Sequence, residues 1–160
     1  MIDKTIANHV FDLLKEKKLT VATAESCTGG LIAHSLTNIS GSSDIFDRGV
    51  VSYSNESKME LLDVSKELLD KYGAVSPQVA NSMAEGMRKK SNVDIAVSTT
   101  GIAGPTGGSK DKPVGLVYIG VSSKNETIVE KKQFKKDRIG NKEETCNAAL
   151  KILIQVIGKI

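Results

Sequence analysis

The segment Gly41–Lys58, "GSSDIFDRGVVSYSNESK", contains the residue types that nucleophilic chemistry needs when no histidine takes part: Ser42, Ser43, Tyr53 and Lys58. A serine hydroxyl attacks only when another group accepts its proton, and lysine can accept it once burial lowers its pKa toward neutrality. Tyr53 could relay or orient that proton. The structural alternative is a turn at "SGSSD" followed by a solvated lysine on a helix.

A second cluster of polar residues is "TAESCTGG", in which Glu25, Ser26, Cys27 and Thr28 precede two glycines. Ser26 or Thr28 is a candidate N-cap for the helix expected next. Glu25 is either a favourable charge at that helix terminus or a group directed at a ligand. Cys27 is interpreted as a small packing residue, because no histidine lies nearby in the sequence to activate it.

Two further segments suggest anion binding. The stretch "TTGIAGPTGGSKDKPVG", residues 99–115, contains five glycines, which allow backbone N–H groups to approach a phosphate or an oxyanion closely. It lacks both the Gly-Lys-Ser/Thr of a Walker A loop and the dinucleotide GxGxxG, so a flexible connection is the alternative. Arg138 follows Asp137 at the predicted start of the last helix and could bind a phosphate through two N–H groups or form a surface salt bridge.

Composition limits the classes of protein that these segments belong to. The 160 residues fit one domain, 1–160, and the net charge of +3 with 4% aromatic residues and no Trp argues against a nucleic-acid binder. No apolar run is long enough for a membrane span. Two widely separated cysteines and the lack of a signal peptide predict a cytoplasmic protein, and two histidines without Cys/His pairing make zinc binding improbable.

Hydrophobic periodicity predicts the elements that hold these residues. A helix over about the first fifteen residues precedes a buried strand at "LTVATA", and a second helix follows the glycine pair. "FDRGVVSYS" and "VDIAVSTTG" are predicted strands, separated by short helices and by a longer one that Ser76 caps with Pro77 at its first position. A hairpin, "GLVYIGVSS" with "ETIVEKKQF", and a final amphipathic helix complete a layered α/β domain with a mixed sheet.

Taken together, the motifs "TAESCTGG", "GSS" leading to "RGVVSYSNESK", "GAVSPQVA", "TTGIAGPTGG" with "KPVGLVYIG", and a final "F…DR" resemble the CinA C-terminal domain family. The resemblance runs from about Thr20 to Arg138 with order and spacing kept. Characterised stand-alone members of this family are nicotinamide-nucleotide amidohydrolases of pyridine nucleotide salvage. The resemblance therefore implies hydrolysis of the carboxamide of nicotinamide mononucleotide, without metal or cofactor, in a three-layer α/β/α domain that forms a homo-oligomer, expected to be a dimer.

By motif position, the family's nucleophile falls on Ser43, its lysine base on Lys58 and its proton-relaying tyrosine on Tyr53. The residues that the resemblance assigns to substrate binding are Glu25, Ser26, Thr28, Gly29, Ser42, Thr100, Gly101 and Arg138. The division of roles between Ser26 and Ser43 stays open.

The chain departs from the family pattern near Arg138. Lys136 stands where relatives often have glycine, and "GNK", residues 140–142, stands where they have a second basic residue. Of the roles that the resemblance implies, phosphate binding near Arg138 is therefore the one that these departures affect. The alternatives to the amidohydrolase are a non-catalytic nucleotide-binding module and an amidase that acts on another small nucleotide.

Overall fold

The computed structural model describes all 160 residues and contains one five-stranded sheet. The sheet has the order β2-β1-β3-β4-β5, in which the first three strands are parallel and the last two are antiparallel to their neighbours. The strands are β1 (Val21–Glu25), β2 (Phe46–Val51), β3 (Ile95–Gly101), β4 (Leu116–Ser122) and β5 (Thr127–Gln133). The helices are α1 (Lys4–Lys17), α2 (Leu31–Thr37), α3 (Asn55–Leu62), α4 (Lys66–Tyr72), α5 (Pro77–Ser91) and α6 (Arg138–Gly158).

Two hydrophobic clusters lie on opposite faces of the sheet. Side chains of β1 alternate between them, so that Val21 joins the larger cluster with α1, α2 and α6, while Ala22 and Ala24 join the smaller one with α3, α4 and α5. Alternation along a strand buried on both faces requires helices on both sides. The predicted three-layer α/β/α domain with a mixed sheet is therefore confirmed. None of its helices combines the length and the apolar character that a membrane span requires.

Local sequence explains most helix ends. Ser76 caps α5 by accepting a hydrogen bond from the Val79 N–H at 3.2 Å, with Pro77 at the first helical position as predicted. Ser65 and Ser54 cap α4 and α3 in the same manner, and Asp137 caps α6.

The carboxyl ends of the three parallel strands meet at one edge of the sheet. Glu25 is paired in register with Val51 of β2 and with Thr99 of β3. From β1 the chain passes to β2 on one side, and from β2 it crosses to β3 on the other. Ligands of open α/β sheets bind where the loops diverge in this way. The loops after β1, β2 and β3 therefore form the candidate site.

Candidate active site

Lys58 is an almost completely buried lysine at this edge. It lies on α3 with 1% of its surface exposed, and its Nζ donates hydrogen bonds to the Ser52 and Tyr53 carbonyl oxygens at 2.9 and 3.1 Å. No carboxylate forms an ion pair with it. Burial lowers its pKa. The arrangement suits a lysine that works in its neutral form.

The third partner of the Lys58 ammonium is the Ser26 hydroxyl, at 3.2 Å. Ser26 directly follows β1, and its backbone N–H donates to the Thr99 carbonyl at 3.0 Å, which fixes the residue at the strand ends. The residue is buried, with 8% of its surface exposed. A serine within hydrogen-bond distance of a lysine of lowered pKa is the geometry of an activated nucleophile.

Ser43, by contrast, is not brought to Lys58. It lies in a short 3₁₀ turn, residues 42–44, that precedes β2, whereas Lys58 contacts the residues that follow β2. The six residues of β2 separate the two ends by roughly 17 Å. Ser43 is exposed, and Ser42 donates only a weak 3.5 Å hydrogen bond to the Thr37 carbonyl. Within this chain Ser43 therefore does not contact Lys58, and the expected roles of Ser43 as nucleophile and of Ser42 in substrate binding stay predictions.

Tyr53 and Arg138 lie together, on the outer side of the site. One guanidinium nitrogen of Arg138 donates to the Tyr53 hydroxyl at 3.1 Å, and another donates to the Gly104 carbonyl at 2.7 Å. The Tyr53 hydroxyl is thus directed at Arg138, whereas its backbone carbonyl accepts the hydrogen bond from Lys58. Arg138 forms no salt bridge, contrary to the structural alternative for this residue.

Glu25 is completely buried at the end of β1. Its Oε1 accepts a 2.6 Å hydrogen bond from the Ile32 N–H, while its Oε2 has no partner. Burial raises its pKa to about 7, although hydrogen bonding to Ile32 works in the opposite direction. Glu25 thus serves the first turn of α2, whose N-cap is Gly30 with φ +98°. The prediction of Ser26 or Thr28 as the cap is wrong, because two glycines separate Thr28 from the helix.

Thr28 and Cys27 hold the loop after β1 against β3. The Thr28 hydroxyl lies 2.8 Å from that of Thr99, and both residues are buried. Cys27 is 6% exposed, and burial raises the pKa of its thiol to about 12. A thiol that stays protonated is a poor nucleophile, which agrees with its interpretation as a packing residue.

Gly29 is exposed and adopts φ +62°, which favours glycine. Lys142 lies over it, with the ammonium nitrogen 3.5 Å from the place where a Cβ on Gly29 would be. Lys142 forms no ion pair and lies one helical turn after Arg138 on α6. Lys142 follows Arg138 by four residues on one helix, which places both cations on the same helix face. This spacing could have identified Lys142 from the sequence.

Thr100 and Gly101 have structural contacts. The Thr100 hydroxyl donates to the Ala74 carbonyl at 2.7 Å, and a Cβ on Gly101 would lie 2.7 Å from the Leu116 carbonyl oxygen. These contacts join the end of β3 to its neighbours. They do not test the expected ligand contacts of the two residues, which stay predictions.

The glycine-rich loop is anchored at both sides. Asn141 on α6 donates to the Ala103 carbonyl at 2.9 Å, and Lys112 donates to the Tyr72 carbonyl at the end of α4 at 2.7 Å. Sequence reasoning missed Asn141, because a lone asparagine inside a helix carries no signal of its distant partner. Both ends of the loop are therefore hydrogen-bonded to neighbouring helices.

Comparison with known proteins agrees with this architecture. The family profile of the CinA C-terminal domain matches residues 3–157. A provisionally named competence-damage inducible protein of Caldicellulosiruptor bescii is 56% identical over 153 residues, 95% of this chain and 37% of the relative. A CinA-like protein of Fusobacterium nucleatum is 49% identical over 159 residues, 98% of this chain and 39% of the relative. The chain thus spans little more than a third of the curated relatives it matches.

Among solved structures, the competence/damage inducible protein CihA of Agrobacterium tumefaciens is 41% identical, with a TM-score of 0.94 over 97% of both chains. The match covers nearly the whole of both chains. The chain therefore belongs to the CinA C-terminal domain family.

Proposed function

We propose that this chain hydrolyses the carboxamide of nicotinamide mononucleotide to nicotinic acid mononucleotide and ammonia, with Ser26 as nucleophile and Lys58 as base. The observation that carries the proposal is the 3.2 Å contact between Lys58 Nζ and the Ser26 hydroxyl, at the carboxyl end of a parallel sheet. Family membership favours a nucleotide amide as the substrate. The same geometry argues for Ser26 over Ser43, because only Ser26 has a base within reach.

The reaction proceeds in two halves. Neutral Lys58 accepts the Ser26 proton as the serine oxygen bonds to the amide carbon, and the carbonyl oxygen takes up the electron pair as an oxyanion. The oxyanion then collapses, the carbon–nitrogen bond breaks, and ammonia leaves with the proton that Lys58 held. Lys58 next accepts a proton from a water molecule whose oxygen bonds to the acyl carbon. The bond between that carbon and the Ser26 oxygen then breaks, Lys58 returns the proton to Ser26, and the acid product loses its own proton to solvent and leaves as the carboxylate.

The other end of the substrate requires cations. Arg138 has already donated hydrogen bonds to Gly104 and Tyr53, which fixes its guanidinium while leaving most of its N–H donors open. The Lys142 ammonium is unpaired above Gly29, one turn further along α6. We assign the substrate phosphate to these two cations, so that Lys142 supplies the second basic group that the sequence pattern left in doubt.

The test is release of ammonia and nicotinic acid mononucleotide from nicotinamide mononucleotide by the purified chain, in the presence of EDTA. Free nicotinamide, which has the same amide but no phosphate, is the matched control substrate. We expect equal amounts of the two products from the nucleotide and little reaction with the free amide. No release from the nucleotide, with circular dichroism showing a folded protein, would contradict the proposal and favour the non-catalytic binding module.

A further inference from the structure

Tyr53 is exposed to an extent that is unusual for an aromatic side chain held at both ends. It is 59% exposed, although its hydroxyl accepts a hydrogen bond from Arg138 and its backbone carbonyl accepts one from Lys58. A tyrosine held rigidly in this way offers an apolar ring face to a ligand. Little side-chain entropy is lost on binding, because the ring is already ordered. No apolar cluster of the fold includes this ring.

The two anchoring contacts define the two ends of the proposed substrate path. Lys58 Nζ lies 3.1 Å from the Tyr53 carbonyl and 3.2 Å from the Ser26 hydroxyl, so the reacting amide is next to the tyrosine backbone. Arg138 lies 3.1 Å from the tyrosine hydroxyl, so the phosphate is at the other end of the same side chain. A substrate that reaches from Ser26 to Arg138 therefore extends along the Tyr53 ring.

The ring of the proposed substrate is a cation, because the pyridine nitrogen is bonded to the ribose. A cation over the face of a tyrosine is attracted by the negative face of its π system. The same cation lies close to Lys58, where a like charge further favours the neutral form of the lysine. Both effects disappear when the ring is reduced to the uncharged dihydropyridine.

We propose that the face of the Tyr53 ring binds the pyridinium ring of the substrate, and that this contact makes the site selective for N-substituted pyridinium amides. This inference rests on the proposed function. It also replaces the proton relay expected for Tyr53, because its hydroxyl accepts a hydrogen bond from Arg138.

The experiment compares wild type with Tyr53→Phe and Tyr53→Leu, using nicotinamide mononucleotide and its reduced form. The two ligands share carboxamide, ribose and phosphate and differ in ring charge. We expect calorimetry to show weaker binding of the oxidised form to Tyr53→Leu by about 3- to 30-fold, the range of a cation–π contact. Binding of the reduced form should change less than about twofold. Tyr53→Phe, which keeps the ring, should keep the wild-type preference for the oxidised form.

Two results would overturn the inference. One is equal affinity of wild type for the two forms, which needs no variant and holds even if a substitution fails to fold. The other is a Tyr53→Phe enzyme with unchanged KM and a kcat lowered 100-fold or more, which would return the proton relay to the hydroxyl. Because binding is measured separately from turnover, a failure of the proposed reaction appears as absent ammonia release and is distinguishable from a failure of the stacking.

Discussion

The two ends of strand β2 carry similar polar side chains in opposite surroundings. At its amino end, Ser43 lies exposed in a short turn with no side-chain hydrogen bond, whereas at its carboxyl end Ser52 and Lys58 are buried. Lys58 there contacts the Ser26 hydroxyl. Residue type alone therefore does not make a serine a nucleophile. A hydroxyl becomes reactive where a buried, unpaired base reaches it.

The largest expected effect comes from removing that base. Lys58→Met should lower kcat by about 10²- to 10⁴-fold, the usual contribution of a general base, while ammonia release is measured at saturating nucleotide. Lys58→Arg should lose a similar amount although it keeps the charge, because a guanidinium does not give up its proton near neutrality. An active Lys58→Arg enzyme would show that the carboxyl end of β2 does not supply the base.

Local sequence patterns predict some features of this structure, but they do not predict the contacts of its candidate site. The cap at Ser76 with Pro77 and the positions of the strands follow from local patterns, since caps and strands depend on neighbours in the chain, and the alternation of helices and strands predicted the mixed sheet. The contact of Ser26 with Lys58 joins residues 32 positions apart, and it depends on strand direction and length. Ser43 is closer to Lys58 in sequence, but the length of β2 separates the two residues in space.

A second prediction concerns the cost of a buried carboxylate at the same edge. The pKa of Glu25 is raised to about 7 in the folded protein, above the ordinary glutamate value that the unfolded chain retains. Between those values the folded state binds more protons than the unfolded state, so stability falls as pH rises through this window. The loss attributable to Glu25 is at most about 3 to 4 kcal/mol, from a pKa raised from 4.5 to about 7.

Urea unfolding at pH 5 and pH 8 measures this effect. Wild type should lose stability between the two values, and Glu25→Gln should lose clearly less, because glutamine cannot ionise but keeps an oxygen for the Ile32 N–H. The same pH dependence in both proteins would show that Glu25 is ionised at no unusual cost.

The smallest predicted effect is at the phosphate end. Lys142→Met should raise KM for nicotinamide mononucleotide by about tenfold, as expected for one partly solvated charge contact, with kcat nearly unchanged. Lys142→Arg, which keeps the charge on the same helix face, is the matched control and should stay close to wild type. An unchanged KM in Lys142→Met would leave the phosphate to Arg138 alone.

The most direct test of the account is ammonia release from nicotinamide mononucleotide by Ser26→Ala and Ser43→Ala, prepared and assayed together. Both substitutions remove one hydroxyl, and they differ in whether a buried lysine lies within 3.2 Å of it. We expect Ser26→Ala to lower the rate of ammonia release by about 10³-fold or more, as for other serine nucleophiles. We expect Ser43→Ala to stay within about twofold of wild type. Loss of activity in Ser43→Ala, with Ser26→Ala near wild type, would contradict the account.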